Sequence, residues 1–269
     1  MIPPVSPDTD KAMGGNSGRI SRSLRQMRDA RATWSLVRML VLVQAIPVVW
    51  DLIVPGAGKL FLAQRFFGLT ENAFLSGSFW QPFSYPLIHA NWFHLLANAA
   101  SILLLGPKLE HVVAKRTFWL LVLSSVLAGG ALFMLLTPAA PPMPGDVPPT
   151  LVGSSAICFG FLVLLTTLSP DSKFLPLFLS GRSIGLAIII ANLTLALLHP
   201  DLPTGPLARW GKQLSEGHLA GLFQISHACH LGGSLAGFIC GKWLLRPRVT
   251  LASLKRAREK QESAAMGRK

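Results

Sequence analysis

Charge is what this chain has little of. Only 14% of its 269 residues are charged, against about a quarter in a typical soluble domain. That is too few to clothe an ordinary water-facing surface. Acidic groups are the scarcest: 12 Asp and Glu stand against 25 Lys and Arg, for a net charge of +13. Cysteine is also sparse. Cys158, Cys229 and Cys240 all lie in apolar runs, with no CxxC or Cys/His spacing. A disulfide framework is therefore not expected, no metal or other cofactor is called for, and Cys158 and Cys229 read as small packing residues. No internal repeat is visible.

The basic excess sits at the two ends. Arg19, Arg22, Arg25, Arg28 and Arg31 precede the first apolar run, and Lys255, Arg256, Arg258, Lys260, Arg268 and Lys269 crowd the other end. A nucleic-acid reader would gather basic and aromatic groups on one folded face, so no nucleic-acid partner is expected. Two basic tails around an apolar middle suit segments held against an anionic cytoplasmic leaflet. The polar leader is over 30 residues long and the first apolar run outlasts a usual signal-peptide core, so that run reads as a retained anchor. No polar tail is longer than 35 residues, and no separate soluble domain is expected.

Six apolar runs are candidate membrane spans: 36–54, 89–106, 117–136, 152–169, 183–198 and 229–245. Crossing a hydrocarbon core takes roughly 20 mostly apolar residues. The expected fold is an all-α membrane protein, a six-helix transmembrane bundle. Its parts are a basic cytoplasmic segment at 1–35, a six-span membrane domain at 36–245 and a basic cytoplasmic tail at 246–269. With both ends inside, the inner segments hold 19 Lys and Arg and the outer loops 4, as the positive-inside rule requires.

The loops differ in character. Loop 55–88 carries Phe61, Phe66, Phe67, Phe74, Phe79, Trp80, Phe83 and Tyr85, which suits the outer interface. Loop 137–151 has six prolines and reads as a stiff, non-helical connector. Loop 199–228 is polar and leads into the last run. Residues 20–35 fit either a basic amphipathic helix or a disordered basic tail.

Polar groups inside a membrane are expensive, so each asks for a reason. His94 and Asn98 are four residues apart and share a helix face, while His89 lies off it and reads as a tie between the preceding loop and the helix. Such a pair can also serve only to hold helices together. Gly153-Ser154-Ser155-Ala156 opens the fourth run, where a serine is often just a cap or packing residue. In the last run His230 precedes a GxxxGxxxG series, Gly233, Gly237 and Gly241, which bares one helix face for close approach. Ala156 and Gly160 offer a matching small face beside Ser155. In this scheme His230 acts as base for a Ser155 nucleophile, with no carboxylate nearby in sequence. His94, Asn98 and the Ser155 N–H would hold the oxyanion. All three clusters fall on the outward halves of their helices, where a polar cavity must admit water.

At these positions the chain resembles the rhomboid family of intramembrane serine proteases. Trp80-Gln81 is similar to the family's Trp-Arg pair. His89, His94 and Asn98 fit H-x(4)-H-x(3)-N, and Glu110 after Leu105-Gly106 resembles the Glu closing that helix. Gly153-Ser154-Ser155-Ala156 fits G-x-S-x, and His230-Leu231-Gly232-Gly233 fits the catalytic His and its glycines. The resemblance spans about residues 35–245. It implies a rhomboid-like six-helix core, an active site sunk below the outer surface, and cleavage of single-span membrane proteins near the outer end of their helix. Catalytic roles fall to Ser155 and His230, oxyanion roles to His94 and Asn98, and structural roles near the site to His89, Gly153, Gly233 and Gly237. The partners implied are transmembrane substrates and the lipid bilayer, and a bacterial plasma membrane is the expected location. Departures are Gln81 for the usual Arg, Cys229 for Ala, and Ala156 for Gly, whose methyl would crowd the oxyanion region. His227 competes with His230 as base, and the glycines that follow favour His230. Alternatives are a rhomboid-like protein that binds transmembrane clients without cutting them, and a small transporter.

Overall fold

The computed structural model describes residues 24–54, 58–137, 149–174, 178–200, 206–216, 221, 223, 225–247 and 251–266. Most of the Pro-rich connector, residues 20–23 and parts of loop 199–228 lie outside them. All six apolar runs are helical: α2 (Arg31–Ile53), α6 (Trp92–Val112), α7 (Lys115–Leu136), α8 (Ser155–Leu168), α9 (Gly181–Leu197) and α11 (His227–Leu244). Among the described residues α2 and α7 are long and apolar enough to cross a membrane. A third candidate is α6 joined to residues 81–87 across a 94° bend. The helices α8 and α9 are apolar but shorter.

Elsewhere the structure adds to the sequence reading. The segment 55–88 is largely helical rather than loop, with α3 (Lys59–Phe67), α4 (Glu71–Leu75), α5 (Gln81–Ser84) and a 3-10 turn at Tyr85–Leu87. Asp51, at the end of α2, accepts the first N–H groups of α3 from Lys59 (2.6 Å) and Leu60 (3.1 Å). A continuous helix over 20–35 is not found. A short α1 (residues 24–29) breaks at Ala30, where α2 starts. A two-residue β hairpin, β1 (Lys173–Phe174) with β2 (Leu179–Ser180), joins α8 to α9. The remaining helices are α10 (Pro206–Ser215) and α12 (Leu251–Met266), the latter in the basic tail.

The helix α6 runs through Gly106-Pro107 to Val112, beyond the expected end at 106. That extension brings Glu110 to the start of α2. Its carboxylate accepts from Ala32 N (3.0 Å), Thr33 N (2.6 Å) and Thr33 Oγ1 (2.6 Å). The first N–H groups of a helix lack intrahelical acceptors. With Ala30 as an inert cap, a neighbouring helix supplies the anion that the dipole favours.

At the centre α11 packs between α7 and α8 through bare backbone. A methyl on Gly232 would strike the Ala128 carbonyl of α7, and methyls on Gly233 and Gly237 would strike the α8 backbone at Ala156 and Gly160. The helix α8 buries Ala156, Ile157, Phe161, Val163 and Leu164, as a helix apolar on every side must. Large apolar groups instead cover the outside. Phe93 is 82% exposed, and Leu42, Ile46 and Leu135 are similarly open. Buried polar groups such as Gln44, His89, Asn98 and His230 sit inside. An apolar exterior, with polar groups kept inside among a mostly apolar core, suits lipid as the solvent.

Candidate active site

The nucleophile candidate stands at the first turn of α8. The approach to it is pinned from outside: Leu151 pairs with Leu69 through two backbone bonds (3.0 and 2.9 Å), and Gly153 N donates to Tyr85 O at 3.0 Å. Gly153 then turns with φ +101°, in the region that disfavours any side chain. Its bare side is filled by His94, whose Nε2 lies 2.7 Å from where a Cβ would be. Ser154 is fully buried against His89: the Nε2 of that ring lies 3.2 Å from Ser154 Oγ and takes Ser154 N–H at 3.3 Å. With its neighbour turned inward, Ser155 begins the helix facing the cavity.

The other half comes from α11. Its start is capped by Ser226 Oγ, which accepts from Cys229 N at 3.3 Å. The glycine face described above draws α11 onto α8 and sets His230 Nε2 2.9 Å from Ser155 Oγ. The imidazole lies flat on Phe159, with ring centroids 4.3 Å apart and 25° between planes. A base thus meets a hydroxyl at hydrogen-bond distance, its ring held in one plane.

His94 lines the same cavity as this pair, while Asn98 lies behind it, next to Gly153 and outside the cavity lining. Asn98 is 6% exposed, yet its Nδ2 has no hydrogen-bond partner among the described residues. That nitrogen lies 3.4 Å from the Cβ position of Gly153, on the side His94 occupies. Buried amide hydrogens are nearly always paired, so an orphan here marks room for an acceptor. Ser155, Val152, His94, His227 and His230 all line one cavity of about 780 Å³.

Residues 76–247 match the Rhomboid domain family. The chain belongs to the rhomboid family. It is also similar to uncharacterized proteins of mycobacteria, Mb1372 of Mycobacterium bovis and Rv1337 of Mycobacterium tuberculosis. Each is 26% identical over 172 residues, 64% of this chain and 62% of the relative. The matched stretch thus spans under two thirds of those relatives' length. The helical fold, its apolar exterior and the family together make this rhomboid-family chain an integral membrane protein.

The structure separates the two histidines that compete in sequence. His230 is the one against Ser155, while His227 Nδ1 meets Asn192 Oδ1 of α9 at 3.1 Å. His89 ties together α2, α3 and the start of α8. Its N donates to Gln44 Oε1 (2.8 Å), and its carbonyl accepts from Gln64 (3.1 Å). Gly233 and Gly237 lie on the α8 contact and outside the cavity lining.

The three departures from the family pattern each find a packing or hydrogen-bonding place. The Ala156 methyl, expected to crowd the oxyanion region, faces α7, 2.8 Å from where a Gly129 Cβ would stand. A bare Gly129 and a methyl at 156 fit one another. Gln81 is buried and works within the first loop, its Oε1 accepting from Thr70 N at 3.1 Å. Cys229 packs against Gly129 and lies 3.8 Å from the Tyr85 hydroxyl.

Sequence reading missed Phe159 and Cys158. Phe159 is four residues after Ser155, so shared-face spacing offered a signal. Cys158, taken for packing, points its Sγ at Asn98 O (3.6 Å) and Oδ1 (3.7 Å). Nothing in its apolar run announced that contact, nor the Asn192–His227 pair across two helices.

Proposed function

We propose that this rhomboid-family protein is an intramembrane serine endopeptidase that hydrolyses single-span membrane proteins near the outer end of their transmembrane helix. The single observation that carries the reading is the 2.9 Å approach of His230 Nε2 to Ser155 Oγ in a lined cavity. A serine hydroxyl becomes a useful nucleophile only with a base in reach. His230 takes the hydroxyl proton as Ser155 Oγ bonds the scissile carbonyl carbon. It then gives that proton to the departing amine, leaving an acyl ester on Ser155. The carbonyl oxygen, now negative, is met by Asn98 Nδ2, the His94 ring and the N–H groups at the start of α8. Water then gives a proton to His230 as its oxygen bonds the acyl carbon, and His230 passes that proton to Ser155 Oγ as the ester bond breaks and the new carboxyl end leaves.

The membrane setting follows from lengths and charges. At 1.5 Å per residue the 14 residues of α8 reach only about 21 Å. A bilayer core is about 30 Å thick. A short helix that starts at Ser155 supports a hydroxyl set below the outer surface, under a cavity that would admit water. On this reading the six apolar runs are the spans, with α8 stopping short of the outer surface, and both termini are cytoplasmic. Residues 1–35 and 246–269 flank a membrane domain at 36–245. The mycobacterial relatives favour a bacterial plasma membrane.

The test is co-expression with a single-span reporter. Ser155→Ala and His230→Ala are each expected to abolish cleavage, and His227→Ala to retain it. Cleavage that survives Ser155→Ala would contradict the assignment.

A further inference from the structure

The carboxamide of Asn98 has unlike surroundings at its two ends. Oδ1 accepts from Cys158 Sγ at 3.7 Å, and the same thiol reaches the Asn98 main-chain oxygen at 3.6 Å. Nδ2 has no partner among the described residues and faces the bare side of Gly153. An amide turned by 180° fills the same volume with oxygen and nitrogen exchanged, so shape alone does not choose between the two. The thiol does. Its one hydrogen, a weak donor shared between the main-chain oxygen and Oδ1, favours an oxygen over an NH2 on that side and leaves the NH2 group pointing the other way.

Position makes this consequential. Cys158 lies three residues after Ser155, one turn along the same helix, and is buried. The helix that presents the hydroxyl therefore also sets the amide beside it. We propose that Cys158 is a positioning residue for the reaction: its S–H holds the Asn98 amide with Nδ2 aimed at the oxyanion side of Ser155. The inference rests on the protease reading above. With the amide reversed, the Oδ1 lone pairs would face the oxygen that turns negative as Ser155 Oγ bonds the carbonyl carbon. That repulsion grows only as charge develops, so it falls on kcat and spares KM.

The experiment uses the purified full chain and a single-span reporter, measuring kcat, KM and thermal stability. Cys158→Ala is expected to lower kcat about 10-fold with KM within about 2-fold. That is less than the roughly 100-fold expected for Asn98→Ala, since the amide remains present. Cys158→Val fills the volume without a donor and is expected to match Cys158→Ala. Cys158→Ser restores a donor and is expected to recover kcat to within about 3-fold of wild type. In an Asn98→Ala background, Cys158→Ala is expected to cause no further loss. The inference is overturned if Cys158→Val keeps wild-type kcat. It is also overturned if the two losses multiply, or if the only change is in thermal stability. A wild-type chain that neither cuts the reporter nor reacts at Ser155 would overturn the protease reading itself. An active wild type with any of the preceding results overturns this inference alone.

Discussion

Gly153 shows how much one missing side chain carries. Its φ of +101° and the His94 ring against its bare side both forbid a Cβ. Gly153→Ala is expected to destabilise by about 1–3 kcal/mol, from backbone strain and overpacking together. It should also push His94 off the oxyanion side. Thermal unfolding and reporter cleavage measured on one preparation check both effects; wild-type cleavage would show that the His94 contact is dispensable. The residues on this face were legible in sequence because intramembrane His, Asn and Ser are too expensive to be incidental. The partner each of them takes was less legible. Ser154 and Ser155 are chemically alike, and it is the fold that buries one against His89 and opens the other to the cavity. Cys158 and Phe159 sit in an apolar run where a thiol or a ring looks like packing until the neighbouring helix is in place.

At the level of elements, the joint between α8 and α11 sets the distance on which the chemistry depends. Backbone meets backbone at Gly233 and Ala156 and again at Gly237 and Gly160. Gly237→Val is expected to lower stability by about 2–3 kcal/mol. By forcing the helices apart it should also lengthen the Ser155–His230 approach and slow reaction at Ser155. Unfolding in a denaturing detergent and serine labelling read the two consequences; labelling at the wild-type rate would contradict the close-packing argument. The joint between α2 and α6 is a different kind. Glu110→Ala removes an acceptor from three donors at the start of α2. It is expected to lower stability by about 2 kcal/mol while the folded fraction keeps its reactivity at Ser155. Long helices were readable because each is an apolar run with few charges. The short helices of 59–84 were not, because they are held by tertiary bonds such as Asp51 to Lys59 N and Gln81 to Thr70 N. The extension of α6 past Pro107 lies beyond the apolar run 89–106, and it was the resemblance at Glu110, not apolar periodicity, that pointed to it.

The whole molecule is organised by where charge is allowed. Basic residues cluster at both ends and apolar groups cover the flanks, so the membrane character was legible in the charge pattern before any helix was drawn. The same asymmetry predicts orientation. Alkaline phosphatase, active only outside the cytoplasm, is expected to be active when inserted near α10 and inactive when fused after α12. The opposite pattern would overturn the inside-positive arrangement. On the proposed reading, the lined cavity at Ser155 admits the water that hydrolysis consumes and that a bilayer otherwise excludes. The most direct test is to treat the purified protein with a fluorophosphonate and map the adduct by mass spectrometry. One adduct is expected, on Ser155, absent from Ser155→Ala and suppressed in His230→Ala. An adduct on another residue, or labelling that persists in Ser155→Ala, would contradict it.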